Sequence, residues 1–421
     1  MKIDKPRGTR DFAPDEMDMR LHIEQVISET FMRYGYRMIQ TPTFECAELF
    51  QLKSGDEIQA HMYVFTDKKG RKLCLRPEAT ASVCRMFAET LRSLPRPLKL
   101  YYFDPMFRYE EPQKGRYREF WQLGVELIGA QGAESDAEVI AMAYEALKNL
   151  GLEFQLEIGH LGVLKGFLED LGIPDERQRK ITSCIDKNDV AGLKKLADER
   201  LLFELIGMKG SKEVIENASS LMEGHAKSVK ALNELKDILS ILDLTGVEYA
   251  INLGIARGLE YYTGMVFEIR VAGLGAQNQI CGGGRYDELI GLFSGMSVPA
   301  VGFAYGFDRV MEALDHQGIT IPERRLDVVV AAVGAETRAE AMKIASRLRK
   351  EFSVYFDLMD RKLGKVLEYA AGINARYVVI VGAKDLECGM VTVRDMASGE
   401  QKTLRMEDVA DIIRADNKGK K

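Results

Sequence analysis

The feature that most constrains this chain is a pair of apolar, aromatic-rich runs at residues 98–107 and 119–129, joined by a short polar loop. Runs of that length and composition read as strands, and so short a loop returns the chain only to the neighbouring antiparallel position. The chain must therefore build a sheet around this hairpin. A further strand is expected at Val266 to Val271, with a glycine-rich approach to Arg285-Tyr286-Asp287. Upstream, Met19, Ile23, Val26, Ile27 and Phe31 recur at helical spacing over residues 15–34, behind a Pro14-Asp15-Glu16 start that suits a helix N-terminus. That helix runs into an extended stretch at 36–45, whose Pro42 belongs at a sheet edge or strand end.

With 421 residues the chain is too long for one core and divides into domains. Residues 160–245 change character to charged helical segments, one starting at Ile173-Pro174-Asp175 and another containing Lys194 to Arg200. Beyond a linker at about 317–325 the pattern becomes βαβ, with strands expected at 326–333, 354–358 and 377–381 and a helix at 336–350. The expected organisation is a core in two parts, 1–159 and 246–322, interrupted by a helical insertion at 160–245 and followed by a separate α/β domain at 323–421. The fold class is α+β, an antiparallel sheet flanked by helices.

No apolar run reaches the roughly 20 residues of a membrane span, and the N-terminus lacks a signal-peptide core, which points to the cytoplasm. Six scattered cysteines form no C-x-x-C pair, so they are expected to be mostly buried thiols, without a zinc site or disulfide framework. Five histidines show no H-x-x-x-H spacing. The net charge of -6 disfavours extensive polyanion binding, yet a local basic loop is enough for docking. Lys114, Arg116 and Arg118 form one such loop; Lys418, Lys420 and Lys421 read as a solvated tail.

The chemistry is concentrated in four places. Arg257-Gly258-Leu259-Glu260-Tyr261-Tyr262 sets a fixed cation beside two phenols, which suits a small ligand carrying an anion. Arg108 ends the first hairpin strand; alone it could be paired with Glu110 or Glu111, whereas beside Arg257 it could share one phosphate. Glu78 and Thr80, two residues apart in Arg76-Pro77-Glu78-Ala79-Thr80, would share a face on an extended segment and could hold an ammonium group. Gln122 and Glu126 share a strand face by the same spacing, although Glu126 by itself reads as a buried acid paired with an arginine.

Together with Gly302 to Arg309, these segments resemble the three motifs of class II aminoacyl-tRNA synthetases and the histidine signature of the histidyl-tRNA synthetase family. The resemblance implies activation of L-histidine with ATP to histidyl-adenylate and pyrophosphate, assisted by Mg2+, then transfer to the 3′ end of tRNA(His). It makes Arg257 and Arg108 catalytic, and assigns ATP to Arg108, Glu110, Arg116, Phe120, Arg257 and Arg309. Histidine falls to Glu78, Ala79, Thr80, Gln122, Glu126, Tyr261, Tyr262 and Tyr286, and the tRNA acceptor end to Gln113, Lys114 and Arg118. It further implies anticodon binding by the C-terminal domain and a homodimer through the 15–34 helix and the strand after it, with no dedicated structural metal. Glu111, Trp121, Ala79 and Glu260 depart from the usual arginine, histidine, glycine and aspartate of the family. Two other readings share part of the pattern: a non-catalytic relative such as the regulatory subunit of ATP phosphoribosyltransferase, and a class II enzyme for threonine or proline.

Overall fold

The computed structural model describes residues 3–51, 55–111, 115–197, 199–255, 261–275, 278–322 and 324–418. The chain forms two compact units, Met1–Ile321 and Pro322–Lys421.

The first unit is built on a nine-stranded sheet. From edge to edge its strands are Arg37–Met38, Leu98–Phe107, Glu119–Ile128, Ala300–Gly306, Gln279–Arg285, Met265–Arg270, Gln155–His160, Ala250–Asn252 and Lys209–Gly210. Arg37–Met38 runs parallel to Leu98–Phe107, as Ala250–Asn252 does to Gln155–His160, and the remaining pairings are antiparallel. The hairpin is in unbroken register from Leu98↔Ile128 to Phe107↔Glu119. Its second strand stops at Ile128 because Gly129 turns to φ +95°, a conformation that suits only glycine.

The helix Pro14–Arg33 begins on a proline with Asp15 and Glu16 in its first turn, where a fixed φ and negative charge both favour initiation. Ile23, Ile27 and Phe31 are fully buried, and the Phe31 ring meets Tyr101 and Phe303 edge-on at 5.7 and 5.8 Å. Ile23, Ile27 and Phe31 thus pack on the chain's own sheet, while Met19, Leu21 and Met32 of the same helix stay exposed. The 36–45 stretch is two short strands: Arg37–Met38 at the edge of the large sheet, and Phe44–Cys46 in a separate three-stranded sheet with Lys72–Leu75 and Val64–Thr66. Pro42, which has no N–H to give a ladder, falls between them.

Among the described residues, six helices lie between the Gln155–His160 and Ala250–Asn252 strands: Leu161–Asp170, Asp175–Asp186, Val190–Leu196, Arg200–Gly207, Glu213–Leu221 and Ala226–Leu244. The Asp175 start is as expected, but Lys194 to Arg200 is not one helix. Arg177 Nε donates to Leu196 O at 2.6 Å, satisfying a carbonyl that a continuing helix would have used, and Ala197 is extended.

In the second unit a five-stranded sheet runs in the order Val354–Phe356, Val328–Val333, Tyr377–Gly382, Met390–Asp395, Gln401–Arg405. The first three strands are parallel and the last two antiparallel. Arg338–Leu348 and Val409–Lys418 cover one face and Leu363–Gly372 the other. No helix among the described residues is long and apolar enough to cross a membrane. Burial holds for Cys74, Cys84 and Cys281; Cys184 is half-buried, and Cys46 and Cys388 are exposed, because Cys46 ends a short strand whose alternate residues face out.

Candidate functional site

The first unit encloses a cavity of about 350 Å3 above the middle strands of its sheet. Arg76 brings its walls together. This guanidinium is 1% exposed, pairs with Asp104 at 2.9 Å and donates to the carbonyls of Pro105 and Thr41. Its own carbonyl accepts from Phe107 N, and Pro77 O accepts from Arg108 Nε at 2.9 Å. The segment carrying Glu78 and Thr80 is thereby fastened to the hairpin end carrying Arg108.

One end of the cavity is cationic. Arg108, Arg116 and Arg309 all line it, with Glu110 and Phe120. Arg108 lies 5.2 Å over the Phe120 ring, and Arg116 pairs with Glu110 at 3.1 Å, so the partner of Glu110 is Arg116. Arg309, in the first turn of the helix Phe307–His316, donates to Gln279 O at 2.8 Å and Gly115 O at 3.3 Å. Burial pulls its pKa below the ordinary arginine value, and the guanidiniums of Arg116 and Arg108 pull it the same way. Crowded like charges of this kind gain from a polyanion placed among them.

The other end is acidic and phenolic. Glu78, Thr80, Gln122, Tyr261, Tyr262 and Tyr286 line it. The Tyr261 ring lies 4.9 Å from Tyr262 and 5.7 Å from Tyr286. Glu126, 1% exposed, sits just beneath this wall and accepts from Thr80 Oγ1 at 2.8 Å and from the Tyr286 hydroxyl. Its partners are thus a hydroxyl and a phenol, where the sequence suggested an arginine. Burial pushes its carboxyl up to about 8, against the pull of those two hydrogen bonds, and the charge of Glu78 adds to the rise.

Glu78 and Thr80 meet the cavity for a different reason from the one the sequence suggested. The segment is not extended: Thr80 opens the helix Thr80–Met86, and Glu78 accepts from the backbone N–H of Thr80 at 2.6 Å and of Ala81 at 3.1 Å. Ala79 does not line the cavity; it is buried among Val83, Cys84, Tyr102 and Tyr261. Arg118 is also outside it, 4.0 Å over the Tyr109 ring with Nε on Glu110 O. Arg257, Gln113 and Lys114 lie outside the described residues.

Asp186, Glu268 and Gln279 line the cavity without a functional signal in the sequence. Asp186 reaches the cavity from the C-terminal end of Asp175–Asp186, and Glu268 and Gln279 come from two middle strands. Asp308, whose carboxylate accepts from Arg10, Arg20 and the Trp121 backbone N–H, was visible only as a neighbour of Arg309.

Residues 8–310 match the family model described as Histidyl-tRNA synthetase, and residues 327–416 the one described as Anticodon binding domain. The Histidine--tRNA ligase of Methanocaldococcus jannaschii is 47% identical over 97% of this chain and 99% of its own length. The fold is similar to that of histidyl-tRNA synthetase from Nostoc sp. PCC 7120, with TM-score 0.83 and 26% identity over 99% of this chain and 100% of that one. It is also similar to an ATP phosphoribosyltransferase regulatory subunit/histidyl-tRNA synthetase from Bacillus halodurans, with TM-score 0.79 and 29% identity over 91% of this chain and 99% of that one.

Proposed function

The chain belongs to the histidyl-tRNA synthetase family, and on that premise we propose how its cavity performs histidine–tRNA ligation. Its substrates are histidine, ATP and tRNA(His). The observation that carries the assignment of roles is the two-ended cavity, with three guanidiniums at one end and Glu78, Glu126 and three phenols around the other.

ATP lies with its triphosphate toward Arg108, Arg116 and Arg309 and its base against Phe120, while Glu110 holds Arg116 in place. Histidine lies at the acidic end. Its ammonium meets Glu78 and Thr80, its carboxylate region meets Gln122, and its imidazole spans Glu126 and Tyr262 within the wall of Tyr261 and Tyr286. A pocket built to hydrogen-bond both ring nitrogens rejects residues that would leave those groups unpaired, by up to about 10⁴- to 10⁵-fold without editing.

A carboxylate oxygen of histidine attacks the α-phosphorus; the new O–P bond forms as the bond to the pyrophosphate oxygen breaks. The attacking group is already ionised, so catalysis consists of alignment and stabilisation of charge by Arg108 and Arg257. The terminal ribose hydroxyl of tRNA then attacks the histidyl carbonyl, the bond to the adenylate oxygen breaks, and AMP leaves as one of its phosphate oxygens takes the hydroxyl proton. Among the described residues no three His, Cys, Asp or Glu side chains are placed to hold a metal ion. The lining carboxylates Glu110 and Glu268 would hold a Mg2+ bound together with ATP, and the ion would supply neutralisation of phosphate charge.

Residues 1–159 and 246–322 act as the catalytic body around the 160–245 insertion, residues 323–421 read the anticodon, and Arg118 with Gln113 and Lys114 adjoins the acceptor end. The enzyme works in the cytoplasm as a homodimer. Pyrophosphate exchange across twenty amino acids tests the reading: histidine alone should support exchange. A chain that binds histidine without exchange would instead be a regulatory relative.

A further inference from the structure

We propose that residues 6–12 form a fixed strap that positions the basic loop and its arginines for ATP, with Arg10 and Gly8 as its positioning residues. The proposal rests on the assignment of ATP to the arginine end of the cavity.

The strap starts in a tight turn. Thr9 returns its N–H and hydroxyl to Pro6 O at 3.2 and 2.8 Å, and Gly8 sits at φ +86°, as the third residue of a type II turn requires. The turn delivers Gly8 O to the N–H of Arg118 at 2.8 Å, and Arg118 O in turn accepts from the N–H of Arg108 at 3.0 Å. One line of backbone bonds thus runs from the strap through the end of the loop to a cavity arginine. The contact has no spare room: a β-carbon at Gly8 would lie 2.7 Å from Arg118 Cγ.

A second line runs through side chains. The Arg10 guanidinium lies 3.7 Å over the Tyr117 ring and 5.0 Å from the Phe12 ring, and ion-pairs with Asp308. Asp308 is 5% exposed and also accepts from Arg20 at 2.7 Å and Trp121 N at 3.0 Å. Its carboxylate therefore joins the strap, the long N-terminal helix, the second hairpin strand and the helix that carries Arg309. Arg309, one residue on, grips the other side of the loop at Gly115 O. The loop is held between strap and helix, and both attachments pass through residues adjacent to Arg108, Arg116 or Arg309. The strap's direct contacts are Tyr117, Arg118 and Asp308, which flank Arg116 and Arg309, so a larger effect on ATP than on histidine distinguishes it from a general structural brace.

The test measures KM for ATP and for histidine in pyrophosphate exchange with full-length Arg10→Ala, Arg10→Lys, Gly8→Ala and Arg309→Ala. Arg10→Ala leaves Asp308 two partners, so the buried carboxylate is not orphaned. It should raise the ATP KM by roughly ten- to a hundredfold, the size of one charge-assisted contact, and move the histidine KM less than about twofold. Lysine at 10 keeps the charge but not the stacking and should restore part of the loss. Gly8→Ala should show the same split from the backbone side, and it carries the test if Arg10→Ala does not fold. An ATP KM near wild type in both strap variants, or equal rises for both substrates, overturns the strap. Arg309→Ala is the control: if it leaves the ATP KM unchanged, the ATP assignment itself is what has failed.

Discussion

Gly302 faces Glu126 across two antiparallel strands, and a β-carbon built at Gly302 would overlap Oε2 of Glu126. Gly302 itself lines the cavity, so the missing side chain is what opens the carboxylate to a ligand. Gly302→Ala should therefore raise the histidine KM by roughly ten- to a hundredfold through displacement of one buried carboxyl partner, and leave the ATP KM nearly unchanged. Separate KM values for histidine and for ATP in pyrophosphate exchange read this directly. Equal changes in both constants would mean that Glu126 does not face histidine.

The raised pKa of Glu126 has a stability signature. Its carboxyl goes from 4.5 to about 8 through burial, so between those pH values the folded state keeps a proton that the unfolded state has lost. Stability then falls as pH rises from 4.5 through 8, because the folded state binds more protons. Glu126→Gln, which is never charged, should stabilise the ligand-free protein by about 1–3 kcal/mol at pH 8 and by little at pH 4.5. Thermal melts at the two pH values check it; a stabilisation independent of pH would contradict the titration of Glu126.

The hairpin was legible because its signal is local: two apolar runs and a short loop admit one pairing. The site was legible only where a motif marked it. Even spacing correctly put Gln122 and Glu126 on one strand face, yet the same rule gave Glu78 and Thr80 the wrong backbone. Their helix starts at Thr80, behind Ala79, whose side chain offers no cap to announce it. The Arg10–Asp308 pair, 298 positions apart, and the approach of Asp186 to the cavity depend on tertiary packing, which no local pattern encodes.

Arg108→Ala should lower the rate of histidine activation by roughly 10²–10³, with Arg257→Ala in the same range, as for loss of one transition-state charge contact. Single-turnover adenylate formation separates this from substrate binding. Near wild-type rates in both variants would remove the arginines from the chemistry.

A homodimer requires an exposed apolar surface, and the long N-terminal helix offers Met19, Leu21 and Met32, at 41%, 49% and 53% exposure. The short strands after it add Met38, Phe44, Val64 and Phe65, at 54%, 55%, 51% and 42% exposure, with Phe44 and Phe65 edge-on at 6.4 Å. Charged substitution there, as in Phe44→Glu with Phe65→Glu, should yield monomers in sedimentation and depress exchange. A wild-type chain that sediments as a fully active monomer at micromolar concentration would end the dimer proposal.

The two units have separate cores, Val328, Val330, Val379 and their neighbours in the second and the Phe31, Phe267 and Phe303 cluster in the first. None of the residues proposed to hold ATP or histidine lies beyond Arg309. A chain ending at Ile321 should therefore keep histidine-dependent exchange while losing most charging of tRNA(His), provided it stays folded and dimeric by melting and sedimentation. Charging by the whole chain should also weaken steeply as salt rises, since each phosphate contact made by a lysine or arginine releases counterions. The two assays divide the labour: exchange reports the cavity, charging reports the cavity and the tRNA contacts together. If the shortened chain charges tRNA as well as the whole one does, residues 323–421 do not read the anticodon and recognition must reside in the first unit.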